Sequence, residues 1–160
     1  MTTSNVKYEL DHELKLENFE LAIVVPVFNE SDSLPLFWKS LTAVLDSMDT
    51  SHQVIFINDG STDNSLDVLN SFTGHDIKLV NLVINSGHMA ALDAGFRQTN
   101  ANWVLSMDSD LQHPPEVIPE LLKVAKEGKV DVVYAVRSSR TEESFQKRFT
   151  ASLYYKILRN

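Results

Sequence analysis

The chain has 160 residues, 43% of them hydrophobic, with five Gly, five Pro, no Cys and a formal net charge of -8. That length suits one domain able to bury roughly 70% of the surface its unfolded form exposes, and the lack of repeats or low-complexity tracts argues against a linker or a fibre. Without cysteine there is no disulfide framework, no thiolate nucleophile and no Cys-based zinc site, and an acidic body is a poor match for nucleic acid.

The N-terminal stretch MTTSNVKYELDHELKLENFE lacks the apolar segment of a signal peptide and reads as an extension over residues 1–20. No run reaches the roughly 18 apolar residues of a membrane span. Leu21 to Val27 is a short β-branched run that predicts a strand buried on both faces. A helix follows, because Leu34, Trp38, Leu41, Leu45 and Met48 recur at three- and four-residue spacing, with Ser31 or Ser33 as cap and Pro35 in the first turn. Gln53 to Ile57 predicts the second strand. STDNS, Ser61 to Ser65, predicts the N-terminus of the next helix, which carries Leu66, Val68 and Leu69.

Ile77 to Ile84 predicts a third strand and His88 to Gln98 a third helix. Trp103 to Asp108 is the fourth strand, Pro114 to Gly128 a helix entered through proline and ended by glycine, and VDVVYAV, residues 130–136, a fifth strand. Strict alternation with short connections predicts an α/β fold with a doubly wound, mostly parallel sheet over residues 21–143. Residues 144–160 predict a basic amphipathic helix, with Phe145, Phe149, Leu153 and Ile157 every four residues. From Arg137 onward six Lys or Arg face two Glu, a segment suited to holding a phosphate, lying on an anionic membrane or packing on a second copy of the chain. No strand follows that helix, so the chain is expected to be a C-terminally shortened piece of a longer protein.

In an open α/β sheet ligands bind beyond the carboxyl ends of the strands. The first strand ends in PVFNE, the second in NDGSTD and the fourth in DSDLQH, which gathers acids and amides on one rim. Asp108 and Asp110 carry like charges one residue apart, an arrangement that persists when a cation or proton separates them. Hard oxygen donors suit Mg²⁺ or Mn²⁺, and Gln112 offers a further carbonyl oxygen. Singly, Glu30, Asp59 or Asp63 reads equally well as a helix cap. An EF-hand needs a Gly and a terminal Glu at fixed offsets, which the stretch from Asp108 lacks, and neither a dinucleotide fingerprint nor a P-loop is present.

PVFNE, NDGSTD, NSGHMAALDAG, DSDLQHPPE and VVYAVRSSR, in that order, resemble glycosyltransferase family 2 with the GT-A fold, and within it the polyprenyl-phosphate glycosyltransferases, over about Leu21 to Asn160. The resemblance implies that Pro26, Phe28, Glu30, Ile57 and Asp59 hold the nucleotide, with Asp59 on the base and Asp108 beside the donor. It implies that Asp108, Asp110 and Gln112 hold a Mg²⁺ or Mn²⁺ ion and the donor diphosphate. Arg137 and Arg148, with Arg140 as a weaker candidate, would grip the acceptor lipid phosphate through planar guanidinium forks. Three positions depart from the pattern: Phe28 stands where Tyr is usual, Asn58 where many relatives have Asp, and Ala135 where many have Gly.

The reaction so implied is inverting transfer of a sugar from a nucleotide diphosphate sugar, with a UDP-sugar such as UDP-glucose foremost, to a polyprenyl phosphate, at the cytoplasmic face of the inner membrane through segments beyond this sequence. Asp108, Asp110 and Arg137 would be the catalytic residues, while His88 and His113 read as structural or as supports just behind the reacting groups. This piece alone is expected to bind nucleotide weakly and turn over little. A transferase acting on a saccharide hydroxyl, or a non-catalytic nucleotide-binding module, are the alternatives.

Overall fold

The computed structural model describes residues 18–128 and 130–135. Within them the order is β1 (Leu21–Val27), α1 (Leu34–Asp46), β2 (His52–Asn58), α2 (Ser65–Asn70), β3 (Ile77–Asn81), α3 (His88–Phe96), β4 (Trp103–Ser106), a 3-10 turn (Pro115–Val117) and α4 (Ile118–Gly128). The four strands form one parallel sheet in the order β3-β2-β1-β4. The chain thus winds outward from β1 through β2 to β3, then returns to place β4 on the other side of β1.

All seven residues of β1 are buried, which is why its sequence is a continuous apolar run rather than an alternating one. Leu21, Ile23, Val25 and Val27 pack with Val54 and Phe56 against Leu34, Phe37, Leu41 and Leu45 of α1, Leu69 of α2, and Ile118 and Leu122 at the start of α4. Ala22, Val24, Ile55 and Ile57 face the other way, onto Ala91 and Leu92 of α3. The expected α/β, doubly wound parallel sheet is therefore present, with helices on both faces.

Several boundaries differ from expectation for reasons the hydrogen bonds make plain. β3 stops at Asn81 rather than Ile84 because its partner β2 ends at Asn58, whose carbonyl accepts the last bond, from Leu82 N–H at 2.9 Å. β4 stops at Ser106. Met107 N–H donates to the Val24 carbonyl at 3.1 Å, and the next residue of β1 turned toward β4 is Pro26, which has no N–H to offer. Ser33 occupies the cap position of α1 but makes no capping bond; its hydroxyl donates instead to the carbonyl and carboxylate of Glu30.

The described residues fall into two compact units, one up to Leu122 and one from Lys123 onward. In the second, the expected fifth strand is not found: residues 130–135 carry no strand assignment, and none of the described residues forms a ladder with them. A strand exists only where its backbone groups find a partner, so the apolar pattern alone cannot make one, and Val132 and Tyr134 stand exposed. The N-terminal extension up to residue 17 and the predicted helix over 144–160 lie outside the described residues.

Helix α3 lies tight against the sheet at Gly95, where a Cβ would collide with Val24 Cγ1 and lie 3.2 Å from Ile57 Cγ1. In Gly95→Ala the overpacking cost of about 1–3 kcal/mol exceeds or offsets the gain of about 1 kcal/mol in helix propensity. Urea unfolding is expected to show a net loss of stability; a variant clearly more stable than the parent would contradict this seating of α3.

Candidate functional site

Four loops leave the carboxyl ends of the strands, and their first task is to satisfy their own backbone donors. Residues 28–33 and 59–65 are laced together. Asn29 takes a positive φ of 56°, a conformation its short polar side chain tolerates, and its Oδ1 accepts Thr62 N–H at 2.8 Å and Asp63 N–H at 3.3 Å. In return Asn29 N–H donates to Ser61 Oγ at 3.0 Å, Glu30 N–H to Ser65 Oγ at 2.8 Å, and Ser31 N–H to Asp63 Oδ2 at 3.1 Å. Asp63 Oδ1 also accepts Ser65 N–H at 2.9 Å, the bond a capping residue would take.

Desolvation alone would push the Asp63 carboxyl upward, but the bonds from Ser65 and Ser31 outweigh it and hold the group at about 2, against 3.8 for a free carboxyl.

Asp59 is 3% exposed, and both of its oxygens are engaged: Oδ1 accepts Ser86 N–H at 2.7 Å and Oδ2 accepts Gly87 N–H at 2.9 Å. The carboxylate thereby pins the β3–α3 loop to the end of β2. Gly60, at a φ of 65°, lies directly under that loop, where a Cβ would overlap the backbone of Ile84 and Asn85. Here the glycine is required twice, for its conformation and for the approach.

At the end of β4 the chain turns through Asp108, Ser109 and Asp110. Gln112 N–H donates to Asp110 Oδ1 at 2.9 Å, and Leu111 sits at a φ of 60°, a costly place for a bulky residue. Asp108 Oδ1 lies 3.9 Å from His88 Nδ1, at the first position of α3.

The loops enclose a cavity of about 270 Å³. Pro26, Phe28 and Glu30 line it from β1, Asp59 from β2, Asn85, Gly87, His88 and Ala91 from the β3–α3 segment, and Asp108, Ser109 and Asp110 from β4. It lies at the carboxyl ends of the strands, where the winding reverses between β1 and β4, the expected place for a ligand in an open parallel sheet. Phe28 is 43% exposed there, an aromatic face open for stacking.

Of the residues singled out from sequence, Pro26, Phe28, Glu30, Asp59, Asp108 and Asp110 line this one cavity. Ile57 does not: it is fully buried in the layer beneath α3, because the pleat turns it inward. Gln112 is not among the lining residues either, and its described role is the backbone bond to Asp110. Arg137, Arg140 and Arg148 lie outside the described residues. His113 is exposed and off the cavity, whereas His88, read as structural, lines it. His88 and Asn85 carry no paired-charge signature, but they follow strand three as NSGH, so the carboxyl-end rule points to them as well.

Among the described residues no three His, Asp or Glu side chains converge as a ready metal cage. Mg²⁺ and Mn²⁺ do not require one, since such ions take one or two carboxylates and complete their shells with water and phosphate oxygens. Asp108 and Asp110, both on the cavity and with acceptor capacity remaining, fit that donor pattern.

The family model described as glycosyl transferase family 2 matches residues 22–160. The chain belongs to that family. It is 42% identical over 87% of its length to an uncharacterised glycosyltransferase of Synechocystis sp., covering 44% of that protein. It is 40% identical over 80% of its length to the undecaprenyl-phosphate 4-deoxy-4-formamido-L-arabinose transferase of Serratia proteamaculans, covering 40% of it. The chain thus spans less than half the length of these curated relatives.

Among solved structures, a mannosyltransferase from Pyrobaculum calidifontis in complex with GDP-mannose and Mn²⁺ superposes with a TM-score of 0.61 at 20% identity, over 78% of this chain and 37% of that one. Glucosyl-3-phosphoglycerate synthase from Mycobacterium tuberculosis, in complex with Mn²⁺, UDP and glucosyl-3-phosphoglycerate, gives 0.60 at 20% identity, over 87% and 52%. At this identity the likeness speaks for the fold, which is GT-A-like.

The Asp63 bonds carry a pH signature. The folded carboxyl titrates at about 2 and a free one at 3.8, so the unfolded chain binds more protons between those values. The stabilisation is fully present above 3.8 and is lost as pH falls toward 2. In Asp63→Ala it is absent at every pH, so the stability gap between parent and variant is expected to shrink on acidification through that window. Urea unfolding from pH 5 to 2 measures it; a gap that stays constant would show that the lacing does not depend on the charged carboxylate.

Proposed function

We propose that the protein containing this chain transfers a sugar from a nucleotide diphosphate sugar, foremost a UDP-sugar, to a polyprenyl phosphate, with inversion at the sugar carbon. One observation carries the reading: Asp108 and Asp110 share a cavity with the open aromatic face of Phe28 and the start of α3, at the winding reversal of a parallel sheet. Phe28 offers a stacking surface for the base, bounded by Pro26 and Asp59, and Glu30 a polar edge for the ribose. Asp108 and Asp110 would hold a Mg²⁺ or Mn²⁺ ion, which when bound supplies positive charge for the diphosphate.

The relatives named as undecaprenyl-phosphate transferases support a lipid phosphate as acceptor. Such an oxygen is already anionic and needs no general base, which suits a rim offering carboxylates for a cation rather than an activated nucleophile. Arg137 and Arg148, with Arg140 as a weaker candidate, are assigned to align that phosphate, a role for which guanidinium forks are suited. No helix among the described residues is long and apolar enough to cross a membrane. Work at the cytoplasmic membrane face belongs, in this reading, to the longer protein.

The test is nucleotide binding with and without metal. With UDP at about 100 times its dissociation constant, stabilisation of about 2.7 kcal/mol raises the melting temperature by roughly 5–10 °C. The rise is expected only when Mn²⁺ or Mg²⁺ is present, and Asp110→Ala is expected to remove it. In the longer protein the same substitution should lower sugar transfer at least about 100-fold. Metal-independent binding, or unimpaired transfer by Asp110→Ala, would sink the assignment.

A further inference from the structure

The opposite end of the sheet holds a second polar constellation, remote from the rim loops. His52 opens β2, His75 lies in the α2–β3 loop, and Asp46 ends α1. His52 Nδ1 is 2.8 Å from the Thr50 carbonyl, His52 Nε2 is 3.1 Å from His75 Nδ1, and His75 Nε2 is 3.4 Å from Asp46 Oδ1. His75 is held from a third side by Trp38, whose ring stands perpendicular to it at 5.7 Å and stacks on Phe72 at 4.9 Å. The His75 side chain is only 11% exposed, whereas Asp46 is 73% exposed, so the group sits at the surface with one ring packed in.

Proton bookkeeping shows what this arrangement lacks. A carbonyl oxygen only accepts, so His52 carries its proton on Nδ1 and turns the Nε2 lone pair toward His75. A neutral His75 has one proton for two demands. Placed on Nδ1, it bonds His52 but leaves a bare Nε2 facing the Asp46 carboxylate. Placed on Nε2, it meets Asp46 but sets two nitrogen lone pairs against each other at 3.1 Å. Both demands are met together when a positive charge lies between the two near nitrogens, either a second proton on His75 or a metal cation in its place.

We propose that His52 Nε2 and His75 Nδ1 form a two-nitrogen site for a borderline transition-metal dication of the Zn²⁺ class. With metal–nitrogen bonds of about 2.0–2.1 Å, a 3.1 Å separation corresponds to a nitrogen–metal–nitrogen angle of roughly 100°, close to tetrahedral. Imidazole is the donor such ions favour, unlike the carboxylates at the rim. The far nitrogen of each ring faces an acceptor, Thr50 O for one and Asp46 for the other, the outer-shell pattern that orients ligating histidines. With no third His, Asp or Glu converging on the point among the described side chains, water would have to complete the shell. A bound ion ties the start of β2 to the α2–β3 loop and, through Asp46, to the end of α1. This site is independent of the transferase reading.

The experiment titrates the untagged, metal-stripped chain with Zn²⁺ in phosphate-free buffer, in the parent and in an Asp108→Asn/Asp110→Asn background that silences the rim. A one-to-one isotherm that survives in that background is expected. His52→Ala and His75→Gln should each weaken it at least about 10-fold, and Asp46→Asn by about 10-fold or more. Nitrogen-15 spectra of the parent need no variant: Zn²⁺ should shift His52 Nε2 and His75 Nδ1 and raise the melting temperature. Affinity indifferent to both histidines, or those two resonances unmoved by Zn²⁺ because a shared proton alone joins the rings, would overturn the proposal.

Discussion

The missing N–H of Pro26 sets the shape of the site. In a parallel ladder successive residues of a central strand turn alternately to either neighbour. Val24 faces β4 and accepts from Met107, whereas Val27 faces β2 and accepts from Asp59 N–H at 2.8 Å. Pro26 is next in line toward β4 and can donate nothing, so the ladder on that side ends while the one on the other side continues. The two strands are then free to part, and the chain after β4 turns away through Asp108 to Asp110. A proline in a fully buried central strand would otherwise cost a hydrogen bond; here it falls where the sheet opens into a cavity.

The rim beyond that opening is held by side chains bonded to backbone N–H groups rather than by packing. Asn29, Ser61, Asp63 and Ser65 lace the first two loops, and Asp59 fastens the third. Much of what looks like a binding motif in NDGSTD is therefore loop architecture. Asp59 is the clearest case: its two oxygens already accept two N–H groups, so any contact with a base would draw on its remaining lone pairs. Its first effect is to deliver Asn85, Gly87 and His88 to the cavity.

β1 and β2 were legible because burial on both faces requires continuous apolar runs, and both have them. The helices were legible from their spacing. What the pattern could not supply was pairing: β3 and β4 end where their neighbours stop offering partners, and residues 130–135 find no ladder partner among the described residues despite a strand-like composition. Capping at Ser33 failed for a related reason, since its hydroxyl had several local partners and only the folded loop decides among them. At the site, charged pairs stood out and neutral residues did not, which is why Asp108 and Asp110 were visible while Asn85 and the cavity-lining place of His88 were not. Ile57 was carried over from a motif, but its place in the pleat turns it into the core.

The carboxylates on this rim differ in how much acceptor capacity the protein has left them. Asp63 is engaged by two N–H groups and Asp59 by two more, and Glu30 takes the Ser33 hydroxyl. Asp110 gives one oxygen to Gln112 N–H, and Asp108 meets His88 Nδ1 at 3.9 Å, beyond hydrogen-bonding distance. Both oxygens of Asp59 and of Asp63 are thus engaged, whereas Asp108 and Asp110, beside the sheet opening made by Pro26, keep acceptor capacity. The same turn holds Leu111 at a positive φ, strain that the surrounding packing sustains. Two adjacent carboxylates kept short of partners, on a backbone bent at some cost to face a cavity, are what a hard cation with a phosphate bridge can use.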